Sequence, residues 1–120
     1  MASARRPQLD KVIHERVRLS MLAYLASSSA TSVSFTELKD ELELTAGNLS
    51  IQLRNLEEAG YVEITKRFIE NKSNTAVRIT THGARALTDY LSELEALIQP
   101  LKLALKTDEE EGNHGNHTEA

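Results

Sequence analysis

The sequence predicts a mainly helical α+β domain in which one hairpin stands between a compact set of helices and a long final helix. Three observations carry this. Apolar residues recur at three- and four-residue steps before residue 60 and after residue 81, the stretch between them alternates as a strand does, and capping and turn residues divide the chain into elements of ordinary length.

The first helix is expected over Leu9 to Ala26, with Leu9, Val12, Ile13, Val17, Leu19, Leu22, Leu25 and Ala26 at helical spacing. Asp10 near its start suits the positive end of the helix dipole. Ser27 to Ser32 is a small polar connector that ends the pattern, and a short extended piece follows at Ser32 to Ser34. Ser34-x-x-Glu37 fits a capping box opening a short helix from Phe35 to Leu42. Thr45 then caps a third helix that runs to about Ala59 with Leu49, Leu53 and Leu56 inward, and Gly60 stops it. Tyr61 to Phe68 places Val62, Ile64 and Phe68 on one side, and Ala76 to Thr80 places Val77 and Ile79 inward. The polar run Glu70 to Asn74 between them predicts a hairpin with a loose tip. From about Thr81 a long helix carries Leu87, Leu91, Leu94, Ile98, Leu101 and Leu105 in a heptad-like seam, with a kink or break expected where Pro100 removes a backbone hydrogen bond.

A chain of 120 residues accommodates one domain and its tails. The reading is a flexible arm over residues 1–8, a domain over residues 9–106 and a disordered acidic tail over residues 107–120. With no cysteine there is no disulfide framework, no thiolate metal site and no cysteine nucleophile, and no apolar run approaches membrane-spanning length, so a cytoplasmic protein with no membrane partner is expected. The net charge of −4 is unevenly distributed. All 14 Lys and Arg lie at or before Lys106, whereas Asp108, Glu109, Glu110, Glu111 and Glu119 follow it, which leaves the body 14 basic against 13 acidic residues. A near-neutral body neither supports nor excludes a polyanionic partner, because local clustering decides that.

The order helix, short helix, tight turn, capped helix, hairpin, long helix is the winged helix-turn-helix arrangement, with a two-stranded wing, a long C-terminal dimerisation helix and its helix-turn-helix over Thr36 to Ala59. The segment from Phe35 through Leu38, Leu42, Thr45, Leu49, Leu53 and Gly60 to Val62, followed by Ile79-Thr-Thr-His-Gly-Ala-Arg-Ala-Leu87, resembles stand-alone regulators related to the MarR and ArsR families over roughly Val12 to Leu97. His82 stands where such proteins often carry proline. The resemblance implies a sequence-specific DNA-binding transcriptional regulator, expected to be a repressor that binds a pseudo-palindromic operator on double-stranded DNA as a homodimer. Metal sensing through thiolates has no residues to support it here.

With three leucines inward, the 100° step of the third helix turns Gly47, Ile51, Arg54, Asn55 and Glu58 outward, flanked by Asn48, Ser50 and Gln52. Together with Thr45, whose neighbouring amides can take a phosphate, these are the expected DNA-binding residues of a recognition helix: Asn48 and Gln52 suited to adenine, Arg54 to guanine or phosphate, and Ile51 to a thymine methyl. Lys66, Arg67 and Lys72 form a basic cluster on the wing, suited to phosphates. The dimer interface is expected from Leu9, Ile13, Val17, Leu87, Leu91, Leu94, Ile98 and Leu101.

No phosphate-binding glycine loop, nucleophile elbow or paired His-Glu metal motif is present, so no enzyme, cofactor or metal site is read, and His114 and His117 lie in a tail without preorganisation. Related regulators often respond to a small-molecule effector bound between their dimerisation helices and DNA-binding lobe, but Tyr24, Phe35, Tyr61, Phe68 and Tyr90 do not mark such a pocket. A winged-helix module that binds another protein is the alternative that the acidic net charge favours.

Overall fold

A computed structural model describes residues 8–119, with side chains described over residues 8–106. The elements are α1 (Arg16–Ser27), β1 (Val33–Ser34), α2 (Phe35–Glu41), α3 (Ala46–Glu58), β2 (Val62–Ile69), β3 (Lys72–Ile79) and α4 (Thr81–Glu119). This is the mainly helical winged-helix architecture. The expected arm lies almost wholly outside the described residues, and the side chains of the expected tail lie outside them altogether. The chain divides into two compact units, one of them Asp10–Tyr90, and that unit carries the sheet, the first three helices and the start of α4.

The first helix begins later than its apolar spacing predicts. The Asp10 carboxylate accepts from the amides of Val12 (2.8 Å) and Ile13 (3.2 Å), which closes a separate turn. Glu15 is then extended and restarts the chain as the N-cap of α1, its side chain accepting from the Arg18 amide at 2.7 Å. Apolar periodicity thus ran through a turn that places Ile13 in the core without being helical. The second carboxylate oxygen of Asp10 accepts from the Tyr61 hydroxyl, so the same residue ties this turn to the start of β2.

The Ser34 hydroxyl accepts from the Glu37 amide at 3.0 Å, as a capping box requires. Its reciprocal half is missing, because the Glu37 carboxylate instead accepts from the Tyr24 hydroxyl at 2.5 Å. At the other end of α2, Glu43 takes a positive φ of 54°, and the amides of Glu43 and Leu44 donate to the carbonyls of Asp40 and Lys39. That is a Schellman closure with a glutamate where glycine is usual. The end of α3 repeats it with the ordinary residue: Gly60 at φ 81° donates to Glu57, and Tyr61 donates to Leu56.

The sheet is antiparallel with order β1-β3-β2, so Val33 and Ser34, expected only as an extended piece, form a third strand opposite Val77 and Ala76. The wing is tighter than its polar run suggests. Glu70 and Asn71, both with positive φ, make a two-residue turn, and Lys72, Ser73 and Asn74 pair with Ile69, Phe68 and Arg67. Two left-handed residues match the twist of the flanking strands, which lets the ladder continue to the tip. Ile13, Met21, Leu22, Leu38, Leu49, Leu56 and Val77 are fully buried, and each such side chain contributes roughly 1.5–3 kcal/mol of transfer free energy.

The helix α4 continues through Pro100, where the sequence predicts a kink or break. A proline there forfeits one hydrogen bond, to the carbonyl of Ala96, and the turns on both sides remain helical. Among the described residues no helix is long and apolar enough to cross a membrane.

Candidate nucleic-acid interface

Thr45 caps α3 by accepting from the Asn48 amide at 3.1 Å, and the Ala46 and Gly47 amides of the first turn have no acceptor within the helix. Leu49, Leu53 and Leu56 are buried, as their spacing requires, and Gly47, Asn48, Ser50, Ile51, Arg54 and Asn55 are exposed. Nothing lies within 4 Å of the place a Gly47 Cβ would take, so the face is open there. Ile51 is 58% exposed, with no neighbouring element covering it.

The two flanks of this face differ. On one, a groove of about 520 Å³ runs between α3 and the wing, with Ser50 and Arg54 on the helix side and Lys66 and Thr75 on the strand side. Two cations without an ion pair among the described residues line this groove, beside one acid, Glu57. On the other flank Gln52 is half-buried and engaged: its oxygen accepts from Nη1 of Arg18 at 2.8 Å, and its nitrogen donates to the Asn48 side-chain oxygen at 3.3 Å. Sequence reasoning missed Arg18, since nothing local marks an arginine of α1 as a neighbour of α3.

The wing cations do not form one cluster. Neighbouring strand residues point to opposite faces, and the pairing Lys66↔Thr75, Phe68↔Ser73 against Arg67↔Asn74, Ile69↔Lys72 puts Lys66 with Phe68 on the α3 side and Arg67 with Lys72 on the other. Phe68, expected on the same side as Val62 and Ile64, is 82% exposed, because the hairpin extends past the helices that bury Val62 and shield Ile64. Glu63 and Arg78, opposite each other at the base, form an ion pair at 2.7 Å.

The wing is seated through its base. Thr80 donates its amide to the Tyr61 carbonyl (3.0 Å) and its hydroxyl to the Gly60 carbonyl (2.6 Å), and that hydroxyl also accepts from the Gly83 amide (2.9 Å), capping α4. Gly83 lies so close to the Tyr61 backbone that a Cβ would sit 2.1 Å from its carbonyl oxygen. His82, in place of the frequent proline, sets its ring 5.1 Å from that of Tyr61, and His14 Nδ1 lies 2.8 Å from the Tyr90 hydroxyl. Burial and the hydrogen bond to Asp10 push the Tyr61 hydroxyl up to about 12. The hydrogen bond to Glu37 raises Tyr24 to about 12.

Of the residues expected at a dimer interface, Ile13, Val17 and Leu87 are buried within the single chain. Leu9, Leu94 and Ile98 are half-buried, and Leu91 and Leu101 are exposed, as are Leu97 and Leu105. Among the described residues no group of His, Asp and Glu is placed to hold a metal ion.

A family profile described as a winged helix DNA-binding domain matches residues 17–98, from the second residue of α1 through the wing and into α4. The chain belongs to this winged helix DNA-binding family. An uncharacterized protein of Methanocaldococcus jannaschii is 37% identical over 84 residues, covering 70% of this chain and 89% of that protein. A transcriptional regulator homologue from Pyrococcus horikoshii is 32% identical with a TM-score of 0.68, over 75% of this chain and 87% of the other. The fold of the family member is also shared with MepR of Staphylococcus aureus, whose structure in complex with DNA has a TM-score of 0.64 at 16% identity over 86% of this chain and 82% of MepR.

Proposed function

We propose that the protein is a sequence-specific transcriptional regulator that docks α3 in the major groove of double-stranded DNA and lays its wing along the flanking backbone. The observation that carries this is the groove between α3 and the wing, where Arg54 of the helix and Lys66 of the strand both line a gap that a phosphate backbone would fill. The open first turn of α3 and exposed Ile51 leave the N-terminal half of the helix free to approach base edges. Thr45, Gly47, Asn48, Ser50, Gln52 and Asn55 complete the contact face, with Arg67 and Lys72 reaching backbone from the outer side of the wing.

The exposed leucines of α4 support a homodimer, since Leu91, Leu97, Leu101 and Leu105 recur on a helical seam and a second copy would cover them. Two-fold symmetry then sets two recognition helices against a pseudo-palindromic operator. Occupation of a promoter by such a dimer excludes polymerase, so repression is the direct consequence of binding. A gel-shift titration against the promoter of the protein's own gene, repeated from about 50 to 200 mM salt with random duplex as competitor, tests the reading. Retention that is selective and falls steeply with salt is expected. Failure to retain any duplex at low salt would favour a protein-binding module.

A further inference from the structure

Resting on the DNA-binding reading above, we infer that Arg18 is a positioning residue that fixes the side chain of Gln52 as a hydrogen-bond donor, so that the base pair it faces is G·C read at guanine, and not A·T. The chemistry leaves one assignment. An arginine has donors only, so the Gln52 atom 2.8 Å from its Nη1 is the amide oxygen. Arg18 is itself held, its Nε donating to the Val12 carbonyl at 2.5 Å and its side chain only 17% exposed beside Glu15, so it does not swing away to release that oxygen.

With its oxygen turned toward α1, Gln52 directs its NH2 group to the exposed flank of α3, where one hydrogen goes to the Asn48 oxygen at 3.3 Å. What remains outward is one N–H of Gln52 and both N–H groups of Asn48. Bidentate recognition of adenine needs an amide that donates to N7 and accepts from the N6 amino group, and the Gln52 oxygen, although it keeps a second lone pair, is held toward α1 by Arg18 and away from the flank a base would approach. Guanine presents two acceptors, N7 and O6, to the major groove and so matches a row of donors. The expected pairing of Gln52 with adenine is thereby replaced by a guanine preference set from a different helix.

The test is selection from a duplex library with randomised half-sites, using the full chain and its Gln52→Ala, Arg18→Met, Gln52→Glu and doubly substituted Arg18→Met/Gln52→Ala forms. The position that loses its preference in Gln52→Ala is the one Gln52 reads. There the native protein should favour G·C over A·T by about tenfold, the order of discrimination one good base contact gives. Arg18→Met, which frees the amide to rotate, should erase most of that factor, and should change nothing further at the position in the Gln52→Ala background. A merely structural loss would weaken all sequences together and leave the ratio intact. Should Arg18→Met fail to fold, Gln52→Glu decides, because it keeps an acceptor for Arg18 and has no N–H to offer, so guanine must be lost from the contacted strand, and any G·C preference that persists must have cytosine there, read through its N4 donor. An A·T preference at that position, a ratio unmoved by Arg18→Met, or guanine surviving on the contacted strand in Gln52→Glu overturns the inference while leaving DNA binding standing. If the native chain retains no duplex, the functional reading falls first and this one with it.

Discussion

Replacing Gly83 by alanine adds one methyl group in the first turn of a helix, a change that ordinarily stabilises by roughly 0.5–1 kcal/mol. Here the sign should reverse. The new Cβ would lie 2.1 Å from the Tyr61 carbonyl oxygen and 2.9 Å from the Tyr61 carbonyl carbon and Cα, all backbone atoms that no rotamer change moves. Relief requires the start of α4 to back away from Tyr61, and Thr80 opposes that through its bonds to the Tyr61 and Gly60 carbonyls. Overpacking of this kind costs about 1–3 kcal/mol, enough to outweigh the helix preference. The net loss is about 0.5–2 kcal/mol, and for a domain of this size each kcal/mol lowers the melting temperature by about 4–8 °C, so a fall of roughly 2–16 °C is expected in calorimetry or thermal circular dichroism. Gly47→Ala is the matched control: nothing lies within 4 Å of its Cβ, and its melting temperature should hold or rise slightly. A Gly83→Ala protein as stable as the native chain would refute the close approach of α4 to Tyr61.

Arg54→Ala should weaken specific DNA binding by about 1–3 kcal/mol in a gel shift while leaving the melting curve unchanged, since the side chain is exposed and has no ion pair among the described residues. Lys66→Ala should lower the slope of log affinity against log salt by about 0.9, one phosphate's worth, on specific and random duplex alike; an unchanged slope would remove the wing from the contact surface. Unfolded tyrosine ionises near pH 10 while Tyr61 in the fold holds its proton to about 12, so stability should be undiminished below pH 10 and fall as pH rises from there through about 12. Tyr61→Phe should lessen that alkaline fall in the melting temperature. Leu91→Glu with Leu94→Glu places two charges on the proposed dimer seam, where a buried unpaired charge costs several kcal/mol, so the variant should sediment as a monomer and lose operator binding; an intact dimer would place the interface elsewhere.

The elements most legible in the sequence were those whose signals are local. Thr45 and Gly60 bracket α3 because a cap and a left-handed stop act within one turn, and Leu49, Leu53 and Leu56 point inward because periodicity is a property of the helix alone. Legibility failed where one residue type serves two structures. Apolar spacing at Val12 and Ile13 fits a helix, yet Asp10 competes for their amides and wins a separate turn. Glu70 and Asn71 read as part of a loose loop, whereas both adopt the left-handed conformation of a tight hairpin. Phe68 obeys the strand alternation and still meets solvent, because which face is buried depends on how far the neighbouring helices reach.

The candidate site divides along the same line, and the division has a consequence for reading such sites. Which side of α3 faces outward follows from three leucines, so Gly47, Ile51, Arg54 and Asn55 could be placed from the sequence. Strand alternation alone separates Lys66 from Arg67, which the reading of one basic cluster overlooked, whereas Lys72 could not be placed until the turn at Glu70 and Asn71 set the register and put it on the face of Arg67. Least legible was the chemistry Gln52 presents, because its two ends are a donor and an acceptor of nearly the same shape. The atom that turns inward is chosen by Arg18, 34 residues earlier in the chain and on another helix. Residue type on a recognition helix therefore bounds what can be read there, and the packing behind the helix selects among those readings.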